Sequence, residues 1–134
     1  NIEKMSAGIP LNDDDRAGWL DSLCDELRRV DASGKRPVLT CSALKHSYRE
    51  VLRSALPGLG FVFLELTPEV AAERVSHRPG HFMPATLIES QFATLESPKG
   101  EPLTLALNAS IHSVEELAAQ AHVWWQAHGL KQAV

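Results

Sequence analysis

Nowhere in this chain do 18 consecutive residues stay apolar, and it does not open on a signal-peptide pattern, so neither a membrane span nor a secretory signal is expected. Cysteine is scarce. Cys24 falls on a helical pattern and Cys41 closes an apolar run, which excludes a disulfide framework and points to reduced thiols in a cytoplasmic protein. Basic runs are absent, aromatics make up 6% of residues and the formal charge is −4, which together argue against nucleic-acid binding. The absence with most consequence is a motif. The eight glycines stand at 8, 18, 34, 58, 60, 80, 100 and 129, and none belongs to a G-x-x-x-x-G-K-[ST] loop of the kind that cradles phosphates.

What is present suits one α/β domain: 134 residues, 44% of them hydrophobic, are enough to bury a core. Periodicity predicts five helices and three strands. Asn12 or Asp13 caps a first helix whose apolar face is Trp19, Leu20, Leu23, Leu27 and Val30, with Ser33-Gly34 ending it. The aspartates at 13–15 suit that helix's first turn and so have a structural explanation. Residues 37–41 predict a strand, 43–55 a helix with Leu44, Tyr48, Val51, Leu52 and Leu56 on one side, and 61–66 a buried parallel strand. Thr67-Pro68 starts a helix over 69–78, and Pro84 opens another as the second half of a lid hairpin spanning about 74–97. A strand over 103–107 and a last helix from the Ser113/Glu116 capping box to about His128 complete the pattern, with Trp124-Trp125 read as packing, one ring buried and the other at a rim.

Two stretches carry chemistry. Arg74 and Arg78 stand one helical turn apart before Pro79-Gly80, and two forked donors at the mouth of a mobile segment suit the charge of a transferring phosphoryl group. The competing reading is a solvated helix end favoured by the macrodipole. At Cys41-Ser42-Ala43-Leu44-Lys45 an apolar run turns into a helix, the kind of junction where open α/β sheets place ligands, and the opening N–H groups with Lys45 can receive an anion. Otherwise Ser42 is simply an N-cap. His77 and His81 stand four apart, but Pro79-Gly80 breaks the helix between them, so no zinc is expected and no metal is assigned to side chains. His46, His112, His122 and His128 read as surface residues.

Several blocks fall in one order: Asn1-Ile2-Glu3-Lys4-Met5, then Gly8-Ile9-Pro10-Leu11-Asn12-Asp13-Asp14-Asp15-Arg16 with Trp19-Leu20. Cys41-Ser42-Ala43-Leu44-Lys45 follows with Tyr48-Arg49 and Leu52-Arg53, then Arg74 and Arg78 with Gly80-His81-Phe82-Met83, and Leu87, Ser90-Gln91-Phe92 and Thr94-Leu95-Glu96 with Pro98. In these blocks the chain resembles the gluconokinases of the P-loop kinase superfamily. The resemblance implies an α/β fold, a partial P-loop kinase (adenylate/shikimate-kinase-like) parallel sheet with helices on both faces, a helical lid, and the first strands missing. It implies ATP-dependent phosphorylation of D-gluconate to 6-phosphogluconate, with Mg²⁺. It also implies that Arg74 and Arg78 meet the phosphates as catalytic and ATP-binding residues, that Lys45 and Arg49 meet the sugar acid, and that Ser42, Arg16, His81 and Gln91 line its site. Whether Arg49, Arg53 or Arg16 holds the carboxylate stays open, as does a homodimer. Another small-molecule kinase of the same fold, of shikimate or nucleoside type, and a non-catalytic sugar-acid-binding fragment remain as alternatives.

In that family the phosphate loop and its strand precede the first matching block, and this chain has no initiator methionine. The expectation is therefore a single kinase-domain fragment, the carboxyl-terminal three-quarters of such an enzyme, inactive alone. The absent strand would lie between 37–41 and 61–66, leaving these about 10 Å apart, twice the pairing distance. Their unpaired N–H and C=O groups would need an upstream segment outside these residues, a strand from another copy, or a rearranged sheet.

Overall fold

The computed structural model describes residues 3, 9–77 and 84–128. Helix α1, Asp13–Ala32, opens on a reciprocal cap: the Asn12 side chain accepts from the Asp15 N–H and the Asp15 carboxylate accepts from the Asn12 N–H, each at 2.8 Å. It ends at Ser33, where Gly34 takes φ 83, a left-handed value that costs glycine nothing. Its inward stripe is Leu20, Cys24 and Leu27, with Trp19 and Leu23 at the margin. That stripe packs on α2, His46–Ala55, through Tyr48, Leu52 and Ala55.

Strand β1, Phe61–Glu65, and strand β2, Thr104–Asn108, form a two-stranded parallel sheet in the register Phe61↔Thr104 to Glu65↔Asn108. Between them come α3, Pro68–Ser76, capped by the Thr67 hydroxyl, and α4, Ala85–Thr94, which pack on each other. Helix α5, Val114–His128, opens on the Ser113/Glu116 capping box and closes the described chain. Helices pack on both faces of the sheet without covering Val62 and Leu64. Phe61 joins the α1–α2 core, while Leu66, Leu105 and Leu107 pack with Leu117 and Ala121 of α5. Among the described residues no helix is long and apolar enough to cross a membrane.

The structure departs from the expected elements in four places. Residues 37–41 are extended but belong to no ladder among the described residues, with Leu39 turned toward the α1–α2 core and Val38 94% exposed. A strand exists only with a hydrogen-bonding neighbour, which apolar alternation cannot supply. β1 is parallel as expected yet only half buried, since Val62 and Leu64 stand exposed. α2 starts at His46 rather than 43, with Lys45 as its N-cap. Both Trp124 and Trp125 are half-buried, their centroids 5.9 Å apart, so the buried-and-rim division does not hold.

One buried ion pair ties these elements together. Arg49, 2% exposed, donates through Nε and Nη2 to the two oxygens of Glu101 at 2.8 and 2.7 Å. Its other N–H groups reach the carbonyls of Ala43 at 2.7 Å, Leu44 at 3.1 Å and Glu96 at 2.8 Å. Arg53 meets the same carboxylate at 3.0 Å, and its guanidinium lies 4.5 Å from the Phe61 ring centre, which fastens α2 to the sheet. The bonds from Arg49 lead the effects that hold the Glu101 carboxyl down from 4.5 to about 2, against the opposing pull of burial. Two left-handed residues shape the loop that presents Glu101: Gly100 at φ 85 and Leu103 at φ 47, whose carbonyl accepts from the Phe61 N–H at 2.9 Å.

Because this carboxyl binds protons more weakly folded than unfolded, its contribution is complete above pH 4.5 and is lost as pH falls toward 2. The shift corresponds to about 3 kcal/mol. Urea titrations across that range will show stability falling, and Glu101→Gln will flatten the fall while lowering stability at neutral pH. At Gly60 an added Cβ would come within 2.6 Å of a Trp125 ring carbon, whereas at Gly18 it would meet nothing within 4 Å. Gly60→Ala will therefore destabilise by about 1–3 kcal/mol through overpacking, and Gly18→Ala in the interior of α1 will stabilise by up to about 1 kcal/mol, both read from the same melts.

Candidate functional site

The amino ends of α1 and α2 meet, and four polar side chains converge there. Asp13, the first residue of α1, offers Oδ1 to two donors: Lys45 Nζ at 2.9 Å and the Tyr48 hydroxyl. The Tyr48 oxygen in turn accepts from Arg16 Nη1 at 3.2 Å. The Arg16 guanidinium carbon lies 5.5 Å, and the Lys45 ammonium 5.7 Å, from the centre of the Tyr48 ring, where the negative face of the π system favours cations. The Tyr48 hydroxyl first, and Lys45 second, hold the Asp13 carboxyl below its usual range, and the bond to Asp13 raises the Lys45 ammonium above its own. At neutral pH Asp13 is an anion between two cations.

The helical period puts these groups in place. Asp13 and Arg16 are three apart at the start of α1, hence on one face, and Lys45 and Tyr48 stand likewise at the start of α2. Tyr48 is buried in the α1–α2 core, so its hydroxyl is carried to the edge where the helix ends meet.

Three arginines entered as candidates for an anionic substrate, and their donors are differently occupied. Each of the five N–H groups of Arg49 has a protein acceptor, so in this arrangement Arg49 is an internal tie with every donor occupied. Arg53 spends its Nη groups on Glu50, Glu101 and Thr104, and its buried Nε has no partner among the described residues. Arg16 is 8% exposed yet has one acceptor among the described residues, the Tyr48 oxygen at its Nη1. That leaves Nε and Nη2, the side-on fork that matches a carboxylate.

The remaining expected residues stand apart from this cluster. Ser42 is exposed three positions before the N-cap, so it does not cap α2. The anion place at the start of α2 is already filled by protein, since the Glu96 carboxylate accepts from the His46 N–H at 2.8 Å. Gln91 is half-buried on α4 and Arg74 exposed in the last turn of α3; neither side chain bonds to the cluster. Arg78 and His81 lie outside the described residues. Two members escaped the sequence reading as site residues. Asp13 looked like a helix-start charge, and Tyr48 like a core residue; each is both. A cleft of about 270 Å³ between α1 and residues 35–39 contains none of the expected site residues.

The chemistry available is recognition of a polyhydroxy anion: a guanidinium fork for a carboxylate and an ionised Asp13 as acceptor for hydroxyls. Phosphate chemistry is a different matter. The chain has no glycine-rich phosphate loop, and among the described residues no three His, Cys, Asp or Glu side chains converge to hold a metal ion. These residues do not by themselves fit ATP or Mg²⁺.

No family model matches the chain. It is 46% identical over 112 residues to the gluconokinase of Gluconobacter oxydans, covering 84% of this chain and 63% of that protein. It is 34% identical over 139 aligned positions to the gluconokinase of Arabidopsis thaliana, covering 90% of this chain and 74% of the relative. The chain thus spans less than two thirds of the length of the first of these. A crystal structure of a gluconokinase from Sinorhizobium meliloti superposes with a TM-score of 0.85 at 43% identity, covering 99% of this chain and 74% of that one. With a parallel sheet packed by helices on both faces, the α/β architecture expected of a P-loop kinase, and with this identity over most of its length, the chain belongs to the gluconokinase family.

Proposed function

We propose that this chain provides the acceptor side of an ATP-dependent gluconokinase, which transfers a phosphoryl group to a hydroxyl of D-gluconate with Mg²⁺ present. The observation that carries the reading is the buried Arg16 guanidinium with its Nε/Nη2 edge unused among the described residues. Tyr48 and the nearby Asp13 charge hold the guanidinium in place, and its remaining edge has the geometry to pair with a ligand carboxylate. Asp13, held ionised by Tyr48 and Lys45, accepts from the sugar hydroxyls. Lys45 adds positive charge without competing for the fork. ATP and Mg²⁺ enter through the relatives' activity alone, and no step of the transfer is assigned to residues of this cluster. The hairpin α3–α4 is the lid of this reading, and Arg74 and Arg78 are its phosphate ligands on closure. Free thiols at Cys24 and Cys41 suit a cytoplasmic enzyme.

The reading is tested on the protein expressed from its complete reading frame, given ATP, Mg²⁺ and gluconate, shikimate or a nucleoside in turn. Formation of 6-phosphogluconate is expected; turnover confined to another acceptor, or none at all, refutes it. In the same protein Arg16→Lys will weaken gluconate binding by about 10- to 100-fold in calorimetric titration, the worth of a charge-assisted fork that a point charge cannot replace. Arg78→Ala will lower kcat by on the order of 10³-fold with little change in the gluconate KM, because a lid arginine acts on charge developing in the transition state. A kcat within about threefold of wild type would make Arg78 a surface residue.

A further inference from the structure

Glu96 bonds three times to one short segment. Its carboxylate accepts from the His46 N–H at 2.8 Å, its own N–H donates to the Leu44 carbonyl at 2.8 Å, and its carbonyl accepts from Arg49 Nη2 at 2.8 Å. All three partners lie within residues 44–49, on either side of Lys45. Glu96 is also the second residue after α4, whose C-cap Leu95 returns its N–H to the Gln91 carbonyl at 2.9 Å. The root of the α3–α4 hairpin is therefore fixed to the first turn of α2.

The first N–H groups of a helix have no partner within the helix. Lys45, as N-cap of α2, makes no side-chain cap bond, and the carboxylate that fills the place comes from 50 residues away. A negative charge is favourable at this end of a helix. Glu96 also adds to the charges that keep the Lys45 ammonium protonated, after the larger effect of Asp13. The turn so capped carries Lys45 and Tyr48, the two donors to Asp13.

We infer that Glu96 is a positioning residue for the sugar acid: acting through the His46 N–H, it sets the first turn of α2 so that Lys45 and Tyr48 meet Asp13, and it couples their placement to the seating of the hairpin. The inference rests on the proposed gluconate site and goes beyond it by naming a residue that need not touch the substrate.

The test compares Glu96→Ala, Glu96→Gln and Glu96→Asp in the protein from its complete reading frame. Glu96→Ala is expected to raise the gluconate KM about fivefold or more, the worth of a lost cap, while kcat and the ATP KM stay within about twofold. Glu96→Gln keeps an oxygen able to accept from His46 and will restore the gluconate KM to within about twofold of wild type. Hydrogen exchange at the His46 amide will quicken in the alanine variant and recover in the glutamine variant. A residue that serves stability alone would lower kcat with the unfolded fraction and leave KM unchanged, and that result overturns the inference. Where Glu96→Ala does not fold, the other two variants decide. Aspartate keeps the charge but falls one methylene short, so its gluconate KM must exceed that of the glutamine variant; equality or the reverse order overturns the inference. Absence of gluconate phosphorylation in the wild type removes the proposed function and this inference together, whereas wild-type turnover with an unchanged KM in the alanine variant removes this inference alone.

Discussion

The bidentate contact between Arg49 and Glu101 is the interaction on which the other parts rely. Burying two charges costs several kcal/mol each, and mutual attraction offsets this only when the remaining donors and acceptors are also satisfied. Here they are: three carbonyls complete the guanidinium, and His46 and Arg53 add to the carboxylate. The carbonyls belong to two separate stretches, 43–44 and 96, while the carboxylate belongs to the approach to β2. One side chain thus fixes the entry to α2, the end of the hairpin and the start of the second strand. Removing the Glu101 carboxylate would leave the Arg49 guanidinium buried without its counter-charge, a loss of about 3–5 kcal/mol.

The three arginines near the start of the fold show that residue type alone does not assign function. Arg16, Arg49 and Arg53 have the same planar fork, and their fates differ by how many protein acceptors surround each. Arg49 is saturated and therefore architectural. Arg53 divides between an ion pair and an aromatic face. Arg16 alone combines deep burial with an unused edge among the described residues. The same reasoning separates Glu101, surrounded by cations within the fold, from Asp13, whose carboxylate is largely open to solvent.

Features determined by local chemistry were legible in the sequence. The Asn12 cap, the Thr67-Pro68 start and the Ser113/Glu116 box involve residues within three positions of each other, and all stand where the pattern put them. Features that depend on distant partners were not. Residues 37–41 keep an inward Leu39 and an outward Val38, but without a neighbouring strand the alternation yields an extended segment only. Arg49 carries the charge expected of a substrate ligand, and only the position of Glu101, 52 residues on, shows that charge to be spent inside the fold. Glu96 sits in a block recognisable by resemblance, yet its reach to the start of α2 spans 50 residues and has no signature in periodicity.

The corner from Gly100 to Leu103 links two demands within four residues. Leu103 accepts a backbone conformation unfavourable for a side chain with a Cβ, by roughly 1–2 kcal/mol, while its carbonyl opens the contact with β1 and Glu101 two positions earlier points at Arg49. The length of this corner is thereby as constrained as its composition. One inserted or deleted residue would either carry the carboxylate away from the guanidinium or slip β2 by one position, and a slip by one exchanges the two faces of a strand. Related chains should vary in length elsewhere, at the solvent-exposed turns around Ser33 and Pro57, and hold the count from Glu101 to Thr104 unchanged.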